Sequence, residues 1–324
     1  STINLKRNQL TNTLSNEELK NGIGIEPMHI ENYAYSRPEL DHHVGQFTVL
    51  NTEGSRYVYG IAAYNHFQSN VSFSVGDFDT TSNTYVDNST GLVKYEVGTD
   101  NSINNKKGTE NYFNKETTPA YAHSYLLTTI LNSDYVDADA IKGPSSGDLG
   151  GYMKFDYDKI ENYQWRSPIS GVGFANYEEG FHTDDKDDKG HYSFGEKELW
   201  YQKSIQSKNH IAVFHTSVRE DGHSVDSDGA IINNGSVMMK LDSISLYSLP
   251  DYLANGNNAT PIKVAHFVYD YSLCKNFPLN TNPSTTNNGK LTLKKVFFTY
   301  EKSQKGRFSP YRFNYDYNPD YHSK

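Results

Sequence analysis

Cysteine is almost missing from this chain of 324 residues: Cys274 stands alone. A single thiol excludes an intrachain disulfide framework and any cysteine-based zinc cluster. No run of about 18 apolar residues occurs, so no segment reads as a membrane-spanning helix. His-Glu-x-x-His, a P-loop and Gly-x-Gly-x-x-Gly are all absent, and with them the motif-based routes to zinc proteolysis, nucleotide hydrolysis and dinucleotide binding. The nearest approach to a nucleophile elbow, Gly143-Pro-Ser-Ser-Gly147, lacks the strand-to-helix setting and reads as a turn. Basic residues number 30 against 39 acidic ones, a formal charge of -9. No global positive field draws in phosphates, which argues against nucleic acid or an anionic membrane as partner. The chain opens on Ser-Thr-Ile-Asn-Leu, without a Met start or signal peptide, and stops at Asp-Tyr-His-Ser-Lys. It reads as a processed product or a piece of a longer protein.

What is present is tyrosine. Hydrophobic residues make up only 35%, yet aromatics reach 14%, with 26 Tyr and 16 Phe. Disordered chains are poor in aromatics, so the low hydrophobicity is not a disorder signature. A tyrosine ring packs while its hydroxyl stays wet, which suits half-exposed sheets. Apolar and polar residues alternate over Gly22–Glu26, Gly45–Leu50, Ser55–Ala62 and Asn70–Val75, and Asn51-Thr-Glu-Gly-Ser55 reads as a turn between strands. A phrase then recurs in the C-terminal half. One copy runs from Leu241 and Tyr247 to Pro261 and Phe267-Val-Tyr-Asp-Tyr271. Another runs from Leu293 and Tyr300 to Pro310 and Phe313-Asn-Tyr-Asp-Tyr317. A looser copy joins Leu199-Trp-Tyr201 and Ile205 to Ile211-Ala-Val-Phe214. A repeating two-strand unit points to a β-array.

The fold expected is all-β: an antiparallel hairpin array forming a curled sheet, shell or β-sandwich, with one or two short helices. The helices are placed at Tyr121–Leu131, where Leu126, Leu127, Ile130 and Leu131 share a helical face, and at Leu249–Ala254, closed by Asn255-Gly256. Two regions are expected. Residues 1–118 form an N-terminal β region with a polar mobile loop near 77–118, which holds one strand at Leu92–Val97. Residues 119–324 hold a short helix followed by hairpin repeats.

Candidate chemistry is acidic. In Thr183-Asp-Asp-Lys-Asp-Asp-Lys-Gly190, Asp185, Asp187, Gly190 and Glu196 fall at positions one, three, six and twelve of a calcium loop, with Asp185, Asp187 and Glu196 as metal ligands. Lys189 puts an ammonium at position five, so a solvated acidic turn is the competing reading. A second acidic run, Asp134, Asp137, Asp139 and Asp148, is punctuated by Gly143 and Gly147 but matches no tight template. Asp221, Asp226 and Asp228 form a weaker group. His42 and His43, as strand neighbours, would point to opposite faces and not share an ion. Glu196 and Glu198 read as solvated residues on one strand face, not as a glycosidase pair. Trp165 and Trp200 read as packing anchors, with sugar stacking as the alternative. Cys274 reads as a buried spectator thiol. No residue is assigned as catalytic or cofactor-binding, and calcium is the only ion the pattern suggests.

Several of these segments resemble a known family. Glu196-Lys-Glu-Leu-Trp-Tyr-Gln-Lys-Ser-Ile205, followed by Ile211–Phe214 and Arg219-Glu-Asp-Gly222, resembles a hairpin of Rhs/YD-repeat proteins and Tc-toxin B-type components. The Phe-x-Tyr-Asp-Tyr strands and Gly306-Arg-Phe-Ser-Pro-Tyr-Arg-Phe-Asn-Tyr315 are similar to the same pattern. Ser55–Gly60 and Tyr121–Leu127 resemble parts of very large secreted proteins of Bacteroidota with Rhs-like regions. The resemblance is clearest over 195–324. It implies a long β-sheet spiralling into a shell around a cargo, often a toxin, and a secreted or cell-surface location. Tyr269-Asp-Tyr-Ser-Leu and Tyr315-Asp-Tyr-Asn-Pro lack the glycine of the strict Tyr-Asp-x-x-Gly repeat, so encapsulation is not a necessary inheritance.

The leading expectation is a non-enzymatic structural or scaffold segment of a larger protein. Its partners would be other segments of the parent or an enclosed protein cargo. A calcium-assisted carbohydrate-binding β-sandwich, with a glycan partner, is the first alternative. A glycoside hydrolase-like enzyme on a β scaffold is the second.

Overall fold

The computed structural model describes residues 11–25, 40–76, 86–87, 91–139, 141–169, 171–178, 188–275 and 289–315. Within them lie fifteen strands. In chain order β1 is Thr11–Ser15, β2 Val44–Leu50, β3 Arg56–Ser74, β4 Val86–Asp87 and β5 Leu92–Lys94. Next come β6 Phe113–Thr118, β7 Tyr121–Leu131, β8 Tyr152–Ser167, β9 Phe174–Glu178 and β10 Lys189–Ser207. The last five are β11 His210–His223, β12 Val237–Ser248, β13 Lys263–Leu273, β14 Lys290–Thr299 and β15 Tyr311–Arg312. All belong to one antiparallel sheet, ordered β1-β2-β3-β7-β8-β10-β11-β12-β13-β14-β15, with β4, β5, β6 and β9 attached off this path. The expected all-β hairpin array is what forms.

Strand β3 organises the sheet. Asn65 pairs with Tyr121 of β7 and with Lys197 of β10. A residue has two ladder edges, so β7 and β10 flank β3 on opposite sides. β6 continues the line of β7 beyond the Pro119-Ala120 break, pairing Gln68 with Thr118. Proline has no N–H to give a ladder, which accounts for the break. β7 meets β8 at Thr129–Leu131, and β8 runs along β10 from Met153 to Ser167. The pairings β3–β7–β8–β10–β3 therefore close into a ring. Inside the paired region Val71, Phe73, Val75, Val93, Tyr95, Ala175 and Tyr192 form the main core cluster.

From β10 onward the chain meanders. The three copies of the recurring phrase become the hairpins β10–β11, β12–β13 and β14–β15. Between β12 and β13 the short helix α2, Leu249–Asn255, lies over Ile211 and Tyr247, and Gly256 follows it at φ 56°. This is the helix placed from Leu249-Pro-Asp-Tyr and Asn255-Gly256. A second short helix, α1, Asn16–Lys20, starts in a capping box in which the Ser15 side chain and the Glu18 carboxylate satisfy each other's backbone N–H.

The helix expected at Tyr121–Leu131 is instead strand β7. Three register shifts interrupt its pairing with β3, at Val58/Tyr59, Tyr59/Ile61 and Ala63/Tyr64. The shift at Val58/Tyr59 leaves Thr128 as an extra residue on β7, which breaks the alternation between Leu127 and Ile130. Leu126, Leu127, Ile130 and Leu131 thus imitate helical spacing while lying in a ladder. Of the strand expected at Leu92–Val97, the first three residues form β5. The strand expected at Gly22–Glu26 does not form over 22–25, where Gly22 and Gly24 take φ 78° and 99°, outside the strand region. Within the polar stretch Asn105 is buried and donates to Ser74 O at 2.8 Å and Asp100 O at 2.7 Å. Lys107 pairs with Asp100 at 2.7 Å.

Candidate functional site

The most organised polar site lies where the ring opens. Beyond Asn65 the partners of β3 and β10 change, β2 taking the edge of β3 and β11 that of β10. Irregularities converge here. β7 bulges at His123, between Ala122 and Ser124, and β10 shifts register around Glu198. Asn162 of β8 takes φ 55°. A fork of this kind leaves backbone donors without ladder partners, and burial makes each expensive to leave unpaired.

Glu198 answers that need. It is 3% exposed. Its Oε2 accepts from Tyr64 N–H at 3.0 Å and Trp200 Nε1 at 3.1 Å, while Lys159 Nζ lies 2.9 Å from Oε1. The Lys159 ammonium also sits 5.5 Å from the Trp200 ring centre and 2.8 Å from Glu161. Glu198 is therefore not the solvated residue its alternation implied. The register shifts on either side of Lys197 rotate it into the interior. Glu196 stays partly exposed and accepts from Gln164 Nε2 at 3.4 Å. Trp200, expected as a packing anchor, gives its indole N–H to this network.

Basic side chains gather around the fork. Burial lowers the pKa of His123, Lys197 lowers it further, and Glu198 opposes both. Burial also lowers the pKa of Lys197, whose ammonium lies 5.6 Å from the Trp165 ring centre. Trp165 Nε1 is buried without a hydrogen-bond partner. His42 and His43 precede β2 in a turn, not on a strand, so their rings meet edge to face at 4.5 Å. His43 Nδ1 lies 3.1 Å from the Tyr64 hydroxyl.

A second site forms between β7 and β8. Asp137, Asp139 and Asp148 each place a carboxylate oxygen within 4.8 Å of the others, a group able to hold a metal ion. Their sequence spacing concealed this because the loop folds back on itself. Asp148 is buried and accepts from the Tyr135 hydroxyl at 2.8 Å, Ala138 N–H at 3.0 Å and Ser145 N–H at 2.8 Å. Asp139 accepts from Ile141 N–H at 2.7 Å and from the Ser145 hydroxyl. Ser145 is thus a turn residue bound to a carboxylate, as the absence of an elbow setting implied.

The Ser145 N–H, with Ala138 N–H and the Tyr135 hydroxyl, holds Asp148 below the ordinary carboxylate range against the opposing effect of burial. A carboxyl whose pKa is depressed on folding stabilises the protein above its unfolded value, about 3.9. That contribution disappears as pH falls through the lower folded value. Asp148→Asn is expected to flatten the acid limb of a stability–pH curve below about pH 4. An acid limb unchanged by the substitution would refute the assignment.

Of the calcium-loop residues, Asp185 and Asp187 lie outside the described residues. Lys189, Gly190 and Glu196 lie in β10, where Gly190 pairs with Phe73 and Glu196 with Phe67. Asp221 is bound by Arg219 through Nε at 3.0 Å and Nη2 at 2.8 Å and accepts Leu291 N–H at 3.0 Å. Asp226 caps its turn, accepting from Asp228 and Ala230 N–H at 3.0 and 2.8 Å. Cys274 is exposed, contrary to the buried position expected, because it follows β13 with φ 53° at the start of a turn.

Sequence reasoning passed over Arg166, which is 2% exposed. Its guanidinium donates to Ser227 O at 3.0 Å, Pro168 O at 2.7 Å, Phe174 O at 2.6 Å and the Tyr95 hydroxyl at 3.3 Å. It also lies 4.3 Å from the Tyr192 ring centre. The only sequence signal was an arginine directly after Trp165 in a strand bounded by Ser167-Pro168.

Among the described residues no helix is long and apolar enough to cross a membrane. No protein-family model, curated protein or solved structure matches this chain.

Proposed function

We propose that this chain is a structural segment of a large secreted or cell-surface protein, an Rhs-like shell wall that encloses or presents a toxin or other protein cargo, without catalysis of its own. One observation carries the reading: a single antiparallel sheet runs unbroken from β1 to β15. Several of its buried polar groups join strands. Glu198 fastens the fork, Arg166 fastens β8 to β9 and the 224–232 loop, and Asp221 fastens β11 to β14. These are bonds that hold shape, as a wall requires.

Asp137, Asp139 and Asp148 favour a second reading, a calcium-stabilised loop on that wall. One set of measurements separates the alternatives. For the scaffold, the thermal midpoint is unmoved by oligosaccharides, and no glycoside is turned over. With the calcium loop, millimolar calcium raises the midpoint and Asp137→Asn abolishes the rise. Glycan binding lost on Trp165→Ala would instead establish the carbohydrate-binding module. Glycoside turnover lost on Glu196→Gln would establish the hydrolase.

A further inference from the structure

The terminal edge of the sheet differs from the rest of the molecule. Between residues 289 and 315 seven Lys and Arg stand against Glu301 alone, a formal +6 on a chain of -9, which leaves -15 elsewhere. Tyr311, Phe313 and Tyr315 recur at every second position and share one face of an extended chain. They are 65%, 39% and 47% exposed. A cation sits against this row: Lys294 Nζ lies 5.5 Å from the Tyr315 ring centre, while the neighbouring Phe298 and Tyr300 rings take Lys263 Nζ at 4.2 and 5.6 Å.

The backbone at this edge is also in place. Phe313 N–H donates to Lys294 O at 3.0 Å, which carries the ladder beyond β15. Antiparallel alternation then turns the N–H and C=O of Arg312 and Asn314 away from β14. β15 ends the strand order, and no described strand pairs with its outer side. Charge alone on an edge is a common guard against unwanted pairing. A guarded edge does not need an exposed aromatic row as well.

We infer that this edge docks an acidic, extended polypeptide segment, added as a further strand. Its carboxylates would meet Arg307, Arg312 and Lys295, its backbone the outward groups of Arg312 and Asn314, and its alternate side chains the aromatic row. A sugar–phosphate strand cannot complete a β-ladder, and the acidic body repels a long polyanion. Pairing of copies through the opposite edge does not supply the charge, because β1 reads Thr-Asn-Thr-Leu-Ser and holds no carboxylate.

The test is fluorescence anisotropy with a labelled peptide of alternating Glu and Val, about ten residues long. Binding is expected to weaken about tenfold between ~20 and ~300 mM salt. The Arg307→Glu/Arg312→Glu variant lowers affinity about tenfold or more. Asn314→Pro, which deletes one outward N–H and leaves the side-chain charges intact, lowers it about fivefold. All three substitutions fall on exposed residues, and an unchanged thermal midpoint of both variants confirms the fold. Several outcomes overturn the inference: no binding, equal affinity for a Lys–Val peptide or for oligothymidylate of the same length, indifference to both variants, or concentration-dependent self-association through this edge.

Discussion

Arg166→Met is expected to lower the unfolding free energy by about 3–5 kcal/mol, read as a shift of the urea midpoint at constant slope. The side chain is a structural joint. Its guanidinium donates to three backbone carbonyls, on Ser227, Pro168 and Phe174, and to the Tyr95 hydroxyl. Pro168 lies at the end of β8 itself, and Ser227, Phe174 and Tyr95 belong to three other segments, which Arg166 draws to that end. It makes no ion pair among the described residues. Its charge is solvated by carbonyl dipoles and by the face of Tyr192. Methionine fills similar space but leaves the buried carbonyls without a donor. Arg166→Lys is expected to recover little, because an ammonium is a point charge and cannot reach acceptors spread around a planar fork. Lysine matching the parent within about 0.5 kcal/mol would show that charge, not geometry, matters at this joint.

Glu198→Ala is expected to cost about 3 kcal/mol or more. It removes the acceptor of the Tyr64 N–H and of the Trp200 indole N–H, and the buried partner of Lys159. Lys159 keeps Glu161, an exposed residue, so part of its charge remains compensated. Glu198→Gln separates the contributions. The amide oxygen still accepts from Tyr64 or Trp200, but the negative charge facing Lys159 is lost, and an intermediate loss of about 1–2 kcal/mol follows. Hydrogen exchange offers a local check. Amides of β3 near Tyr64 and of β10 near Glu198 should lose protection before those of β12 and β13, because the fork opens first. Uniform loss of protection across the sheet would place the role of Glu198 elsewhere.

The hairpins were legible in the sequence because their signal is local. Leu241–Tyr247 with Phe267–Tyr271, and Leu293–Tyr300 with Phe313–Tyr315, alternate cleanly between turn residues, and period-two alternation is what a half-buried strand requires. The same reasoning failed at Tyr121–Leu131, where the extra residue Thr128 breaks the alternation of the apolar positions. Whether a bulge forms depends on the partner strand, and β3 is about sixty residues away in the chain. The acidic loop was visible as composition in Asp134, Asp137, Asp139 and Asp148. Its geometry was not, because Asp148 reaches Asp137 and Asp139 only after Ser145 and Ala138 close the loop with their N–H groups.

By itself the sequence determined the class of architecture. Scarce cysteine, no long apolar run, abundant tyrosine and a repeated alternating phrase leave an antiparallel array as the way to bury the rings while solvating the hydroxyls. Only the tertiary structure decided that β3, β7, β8 and β10 close a ring, and which polar residues hold it. Glu196 and Glu198 are two residues apart and chemically identical. One is half-buried and accepts from the Gln164 amide, and the other is buried at the fork. The physical reason is register: a single inserted residue reverses which face a side chain meets, and insertions are set by pairing between strands distant in the chain.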